Sequence, residues 1–135
     1  MQYISGIHAL NLPCSLETCG DWHSSALKWE KLYIKDTEKS IFDMYGIELC
    51  SCVPYHDGTF YIANTVRACL DLIEDGNFSI AQGMNNDFIC NAKYNEEVFR
   101  NVSKLKERNG WEKIDAFMLK EYKLDWLNYK KGAKL

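Results

Sequence analysis

Apolar side chains recur at spacings of three and four between residues 62 and 73, and this pattern constrains the fold more than any other. An α-helix places residues at these spacings on one face, so the segment predicts an amphipathic helix that ends near Gly76. The polar side chains fall on the opposite face. The apolar stripe comprises Ile62, Val66, Cys69, Leu70 and Ile73.

The C-terminal third of the chain predicts two more helices. Asn95 is followed by two glutamates, which is typical of a helix start, because capping and acidic side chains stabilise the exposed amides. Gly110 interrupts the pattern and a second helix begins at Trp111. Because this break is short, we expect a helical hairpin. The expected core residues are Val98, Phe99, Val102, Leu105, Ile114, Phe117 and Met118.

Shorter elements are predicted elsewhere in the chain. Residues 3–12 and 32–35 favour short strands, because both are rich in Tyr, Ile and Leu. Residues 41–49 predict a short helix and then a strand, since Gly46 interrupts a helical pattern. Residues 77–91 predict a short helix and a loop. These elements indicate an α+β fold, with short N-terminal strands, a central amphipathic helix and a C-terminal helical hairpin.

Length and composition indicate one domain over residues 1–135. A chain of 135 residues buries about two thirds of its unfolded surface, and no repeat or linker divides it. The 16 basic and 19 acidic side chains are spread along the chain, so we do not expect nucleic-acid binding. No apolar run approaches the ~20 residues of a membrane span. With no signal-peptide pattern, we expect a cytoplasmic protein whose six cysteines stay reduced.

The densest group of reactive side chains lies in residues 13–29, which read PCSLETCGDWHSSALKW. Gly20 and a proline oppose regular structure, so we expect a surface loop. Asp21 and His23 would share a side of an extended segment, where a carboxylate raises the pKa of an imidazole. The alternative, which the pattern favours, is that Asp21 caps a helix running through Trp29.

Two groups of cysteine and histidine raise the question of a metal site: Cys14, Cys19 and His23, and then Cys50, Cys52 and His56. Four such side chains satisfy tetrahedral zinc. Their spacings differ from those of the common zinc fingers and ribbons, so we predict no metal and no cofactor. The candidate ligands are Cys14, Cys19, Cys50 and Cys52. The two other cysteines, Cys69 and Cys90, are interpreted as small core residues.

A cysteine nucleophile is the other chemical role open to the loop. Cys14 or Cys19 would attack, with His23 or His56 as the base, which requires a thiol of lowered pKa and an imidazole within hydrogen-bond reach. The candidate catalytic residues are Asp21, His23 and Cys19. No signature of a nucleophile family surrounds either cysteine, and the glycines do not cluster into a phosphate-binding loop.

Residues 6–29, GIHALNLPCSLETCGDWHSSALKW, and the pattern from Tyr94 to Tyr129 resemble a family of small uncharacterised bacterial proteins. That family is associated with toxin-antitoxin and abortive-infection gene neighbourhoods. The resemblance covers most of the chain and supplies no catalytic residues. It implies that the small acidic member neutralises a toxin or defence protein.

Two functional hypotheses follow. The first is a protein-binding module of antitoxin type, with Trp22, His23 and Trp29 as contact residues, since tryptophan anchors dominate protein interfaces. Under this hypothesis Trp22 is exposed, whereas the alternative is that its indole covers residues 3–12. The second hypothesis is a small enzyme or metal-dependent factor that uses the loop between Cys14 and His23. The sequence leaves the oligomeric state open.

Overall fold

The computed structural model describes residues 1–135, except for the side chain of Ser24. A mixed four-stranded sheet has the spatial order β2-β1-β4-β3. Strand β1 pairs antiparallel with β2 and parallel with β4, and β3 pairs antiparallel with β4. The strands are β1 (Gln2–Ile4), β2 (Ile34–Asp36), β3 (Ile47–Cys50) and β4 (Phe60–Ala63).

Helices form most of the C-terminal half of the chain, and the longer ones pack on one face of this sheet. The α-helices are α1 (Gly6–Leu10), α2 (Thr65–Glu74), α3 (Phe78–Ala81), α4 (Asn95–Ser103), α5 (Trp111–Tyr122) and α6 (Leu124–Ala133). A π-helix spans Met84–Ile89, and short 3-10 turns span Ser24–Ala26, Thr37–Lys39 and Ala92–Tyr94. The predicted α+β class is confirmed. None of the helices in the described chain combines the length and apolar character of a bilayer span.

Helix α2 is the predicted central helix, and it starts later than the sequence pattern indicated. The Asn64 side chain accepts a hydrogen bond from the Arg67 amide at 2.9 Å and thereby caps the helix. Ile62 lies in β4, because the apolar stretch of that strand runs directly into the helical stripe. The predicted stripe of Val66, Cys69, Leu70 and Ile73 is buried.

Two polar residues of α2 are also fully buried. Arg67 Nε donates to Asp71 Oδ1 at 2.9 Å, and Arg67 also donates to the Asp43 carbonyl at 2.8 Å. The hydroxyl groups of Tyr3 and Ser5 each donate to Asp71 Oδ2 at 2.6 Å. Burial and the nearby Asp71 carboxylate raise the pKa of Tyr3, so its hydroxyl remains a donor. This network joins β1, α2 and the segment that precedes β3.

The N-terminal strand is shorter than predicted. Only Gln2–Ile4 is extended, because Gly6 adopts φ +55° and begins α1. A Cβ atom on Gly6 would lie 2.8 Å from the Tyr33 ring, so the ring packs directly on the backbone. The second strand is shifted toward the C-terminus, and residues 41–46 form turns where a short helix was expected.

The sheet separates two apolar clusters. Successive residues of a strand point to opposite faces. Tyr3 and Ala63 accordingly belong to a large cluster that includes α2, α4, α5 and α6, whereas Ile4 and Ile62 belong to a smaller cluster on the other face. The smaller cluster comprises Ile4, Leu12, Trp29, Cys50, Val53 and Ile62.

The predicted C-terminal helices are present, but the hairpin was expected between the helix that starts at Asn95 and the helix that starts at Trp111. The second of these is instead divided at Lys123, and its two parts, α5 and α6, form the hairpin. A reversal at Lys123, with φ +53°, ends α5 and lets α6 fold back on it. Phe99 of α4 packs its ring at this junction, 4.9 Å from the Tyr122 ring and 5.4 Å from the Trp126 ring. The predicted core residues are buried except Phe117, which is only partly buried and packs against Phe78 on α3.

Candidate functional site

The loop of residues 19–23 is fastened to the π-helix. A disulfide joins Cys19 to Cys90, which are 71 residues apart in the chain and have Cα atoms 6.1 Å apart. The Cys19 and Gly20 amides both donate to the Phe88 carbonyl, at 3.0 and 2.8 Å. One covalent bond and two backbone hydrogen bonds therefore fix the loop against the segment of residues 83–90.

This disulfide corrects three sequence-based expectations. The cysteines are not all reduced, and Cys19 is neither a thiolate nucleophile nor a metal ligand while it is oxidised. Cys90 is exposed and is not a core residue, whereas Cys69 is buried as predicted. Disulfides are typical of oxidising compartments, so the bond does not fit the expected cytoplasmic location.

A second attachment joins the loop to α1. The Asp21 amide donates to the Leu10 carbonyl at 2.7 Å. Gly20 adopts φ +68°, and a Cβ atom there would lie 2.8 Å from the same Leu10 oxygen. Only glycine allows this close approach without displacing backbone atoms.

Asp21 and His23 contact each other, as their spacing indicated. His23 Nδ1 donates to Asp21 Oδ1 at 2.7 Å, and the His23 amide donates to the same oxygen at 3.2 Å. Partial burial alone would raise the pKa of Asp21, but hydrogen bonds from His23 and Asn11 hold it below its ordinary value. The helix that Asp21 was expected to cap is reduced to the single turn Ser24–Ala26.

An open groove of about 640 Å³ lies between the loop and the π-helix, and we name it the Trp22 groove. The Trp22 side chain is 83% exposed beside it, so its indole does not cover residues 3–12. Asp21 and Asp87 give the groove an acidic character. The groove is lined by Cys19, Gly20, Asp21, Trp22, His23, Asn86, Asp87 and Phe88.

Sequence reasoning missed the wall of the groove contributed by the π-helix. Helices of this type are rare and are frequent at functional sites. The Glu121 carboxylate of α5 stabilises its start by accepting from the amides of Gly83 at 3.2 Å and Asn85 at 3.3 Å. The glycine and the asparagine run in this segment were interpreted as a loop. They carried no signal that Asp87 and Phe88 would line the same groove as Asp21.

Trp29 is not a contact residue, and this prediction was wrong. Its side chain is only 3% exposed and belongs to the smaller apolar cluster, where its ring lies 5.0 Å from that of His8. Its carbonyl accepts a hydrogen bond from His56 Nε2 at 2.8 Å. Of the three predicted contact residues, Trp22 and His23 remain at the groove.

The candidate metal ligands do not assemble into one site. Cys14 Sγ lies 3.5 Å from Thr65 Oγ1 at the start of α2, whereas Cys50 and Cys52 lie at the end of β3 with their Sγ atoms 3.4 Å apart. Cys19 is oxidised. The described side chains contain no group of three or more potential metal-binding residues.

The candidate catalytic side chains are also separated. Cys14 borders a smaller pocket of about 280 Å³ that includes Asp21, but the described contacts of its Sγ atom are with Thr18 and Thr65 and not with an imidazole. His23 contacts Asp21, and His56 bonds to the backbone of Trp29. In the described part of the chain, no nucleophile contacts the pair formed by Asp21 and His23.

Comparisons of the chain with protein-family models, with curated proteins and with solved structures found no match.

Proposed function

We propose that this protein binds another protein through the Trp22 groove. The observation that carries the proposal is an indole that is 83% exposed on a loop fixed by a disulfide and by backbone hydrogen bonds. An exposed indole buries a large apolar area on a partner. Because the loop is already ordered, little conformational entropy is lost when it binds.

The groove favours a partner that presents a basic side chain beside an apolar patch. Asp21 and Asp87 border the groove, and the whole chain carries a net charge of −3. An arginine on the partner would pair with these carboxylates and stack on the Trp22 indole, since guanidinium groups bind both carboxylates and aromatic faces. Charge complementarity of this kind would also raise the association rate.

The partner class that we propose to test first is a toxin or defence protein, with this chain as the neutralising member of the pair. The support for this class is the resemblance of residues 6–29 and 94–129, together with the acidic balance of the chain. The alternative of a small enzyme or metal-dependent factor has weaker support. The loop between Cys14 and His23 contributes an oxidised cysteine and an exposed imidazole to the groove.

The experiment is to replace Trp22 with alanine and measure binding to the partner captured from the native host. We expect Trp22→Ala to weaken binding by about 2 kcal/mol or more, which is roughly thirtyfold in Kd. The thermal midpoint should barely change, because the indole makes few contacts within the chain. Isothermal titration and a thermal melt measure the two quantities.

The matched control is Leu124→Ala, which removes another exposed apolar side chain, at the start of α6. It should leave Kd unchanged. A second variant, Asp87→Asn, should weaken binding and reduce its dependence on salt. If Trp22→Ala binds the captured protein as tightly as the wild type, the groove is not the interface.

A further inference from the structure

Two thiols outside the Trp22 groove lie in contact with each other. Cys50 is the last residue of β3, an edge strand of the sheet, and Cys52 follows beyond its end. Their Sγ atoms are 3.4 Å apart. Neither residue belongs to the groove or to the disulfide that fixes the loop, so the function proposed above leaves this pair unexplained.

The two thiols differ in accessibility. Cys50 is 6% exposed and packs in the smaller apolar cluster, whereas Cys52 is exposed to solvent. Burial raises the pKa of the Cys50 thiol, and the neighbouring Cys52 side chain adds to this increase. Because Cys50 is buried, a molecule in solution does not reach its thiol. Cys50 can instead attack a disulfide that Cys52 has already formed. Cys52 is the thiol that an external molecule can reach.

We propose that Cys50 and Cys52 form a redox-active dithiol that reduces a disulfide on another molecule. In the first step the Cys52 thiolate attacks one sulfur of the external disulfide. A mixed disulfide forms and one external thiolate leaves. In the second step the Cys50 thiolate attacks Cys52 Sγ, which breaks the mixed disulfide and releases the second external thiolate.

The atoms and electrons of this exchange balance. The dithiol loses two electrons and two protons, and the external disulfide gains them as it becomes two thiols. The product is a disulfide between Cys50 and Cys52, and the external disulfide is the oxidant. The reverse reaction reduces the pair again at the expense of two external thiols.

The geometry allows the internal bond to close. A disulfide needs an S–S distance of about 2.05 Å, so the two Sγ atoms, now 3.4 Å apart, must approach by roughly 1.4 Å. Cys52 lies outside the regular strand, so this approach does not require the ladder of β3 and β4 to change. Ser51 lies between the two cysteines, and its hydroxyl oxygen is 2.8 Å from that of Thr59, which directly precedes β4. This hydrogen bond links the end of β3 to the start of β4.

An exposed aromatic side chain follows the pair closely in the sequence. Tyr55 is 93% exposed three residues after Cys52, and it borders a shallow pocket of about 270 Å³ together with Leu27 and Pro54. The external disulfide has two possible sources, a small molecule such as glutathione disulfide or an exposed disulfide on a polypeptide. Both supply the same chemistry, and the experiment separates them.

The test uses the whole protein with the Cys19–Cys90 bond intact and with Cys50 and Cys52 reduced. The protein is incubated with glutathione disulfide or with a disulfide-linked peptide, quenched with acid and alkylated. Peptide mapping by mass spectrometry then identifies the linked cysteines. We expect a Cys50–Cys52 linkage with release of two external thiols for each bond formed, and the faster of the two reagents identifies the source.

Variants assign the two roles. Cys50→Ala should leave Cys52 trapped as a mixed disulfide with the reagent, whereas Cys52→Ser should lose the exchange. Cys14→Ser is the matched control, because it removes a partly exposed thiol elsewhere and should react like the wild type. The proposal is overturned if the wild type forms no Cys50–Cys52 linkage, or if Cys52→Ser exchanges at the wild-type rate. The wild-type result does not depend on whether a variant folds.

Discussion

Arg67 and Asp71 are fully buried charged side chains, and each depends on the other. Moving a charge out of water is unfavourable unless a partner and further hydrogen bonds offset the loss of hydration. Here Arg67 also donates to the Tyr3 hydroxyl at 2.8 Å, and Asp71 accepts from Tyr3 and Ser5. Both charges are therefore compensated, and the pair holds β1 against α2.

Removing one member of this pair should be strongly destabilising. We expect Asp71→Ala to lower the free energy of unfolding by about 3 to 5 kcal/mol, because Arg67 would remain buried without its counter-charge. Chemical denaturation measures this difference. The double variant Arg67→Met with Asp71→Leu should recover much of the loss, since it leaves no uncompensated charge.

The control for this experiment is Asp125→Ala, which removes an exposed carboxylate from the first turn of α6. It should change stability by no more than about half a kcal/mol. An Asp71→Ala loss as small as that of the control would contradict the role assigned to the buried pair.

At the level of secondary-structure elements, Asp115 joins α5 to α6. Its carboxylate accepts from Trp126 Nε1 at 2.8 Å, and Lys130 Nζ lies 2.8 Å from the same oxygen. Partial burial would raise the pKa of Asp115, but the hydrogen bonds from Lys130 and Trp126 outweigh it and hold the pKa below its ordinary value. The ionised carboxylate therefore stabilises the hairpin.

The direction of this pKa shift sets a pH dependence. Because the folded pKa lies below the unfolded one, Asp115 contributes stability above the unfolded pKa and loses it as the pH falls through the folded pKa. We expect Asp115→Asn to have a lower thermal midpoint than the wild type at pH 7. The difference should shrink below roughly pH 4, where the carboxyl group becomes protonated.

Thermal melts from neutral to acidic pH measure this effect. Glu107→Gln is the control, because it removes an exposed carboxylate that lies outside the helices. Its melting curve should follow that of the wild type at every pH. A constant difference between Asp115→Asn and the wild type over the whole range would mean that the carboxylate charge does not stabilise the hairpin.

For the molecule as a whole, the Cys19–Cys90 bond joins the N-terminal loop to the helical half of the chain. A cross-link that closes so long a loop restricts the unfolded chain, and the usual stabilisation is about 2 to 4 kcal/mol. We expect the double variant Cys19→Ser with Cys90→Ser to lose stability in this range. It should also bind the partner more weakly, because the loop that presents Trp22 would be less ordered.

Denaturation without reductant measures the first effect, and titration with the captured partner measures the second. Cys14→Ser keeps the disulfide and should resemble the wild type in both. If the double variant keeps the wild-type midpoint, the bond does not stabilise the fold. If the double variant loses stability but binds the partner with wild-type affinity, the loop keeps its shape without the cross-link.

The sequence by itself determined where the main amphipathic helices lie and most of the core residues that they bury. The stripes of α2, α4 and α5 were predicted because helical periodicity is a local property, visible in the spacing of apolar side chains. The same locality explains the errors at the element boundaries. An apolar strand that runs into a helix, as at Ile62, has no periodicity that separates the two. Similarly, residues 3–12 resembled one strand, because the Tyr33 ring that packs on the turn at Gly6 comes from a distant segment.

Only the tertiary structure decided which parts of the loop form a site. Trp22 and Trp29 have the same side chain and lie seven residues apart, yet one is exposed at the groove and the other is buried on the sheet. That difference depends on where the chain crosses the sheet. In the same way, Cys19 met Cys90 and not Cys14, because packing brought the π-helix beside the loop. Local patterns encode local periodicity, whereas contacts between distant segments arise from the packing of the whole chain.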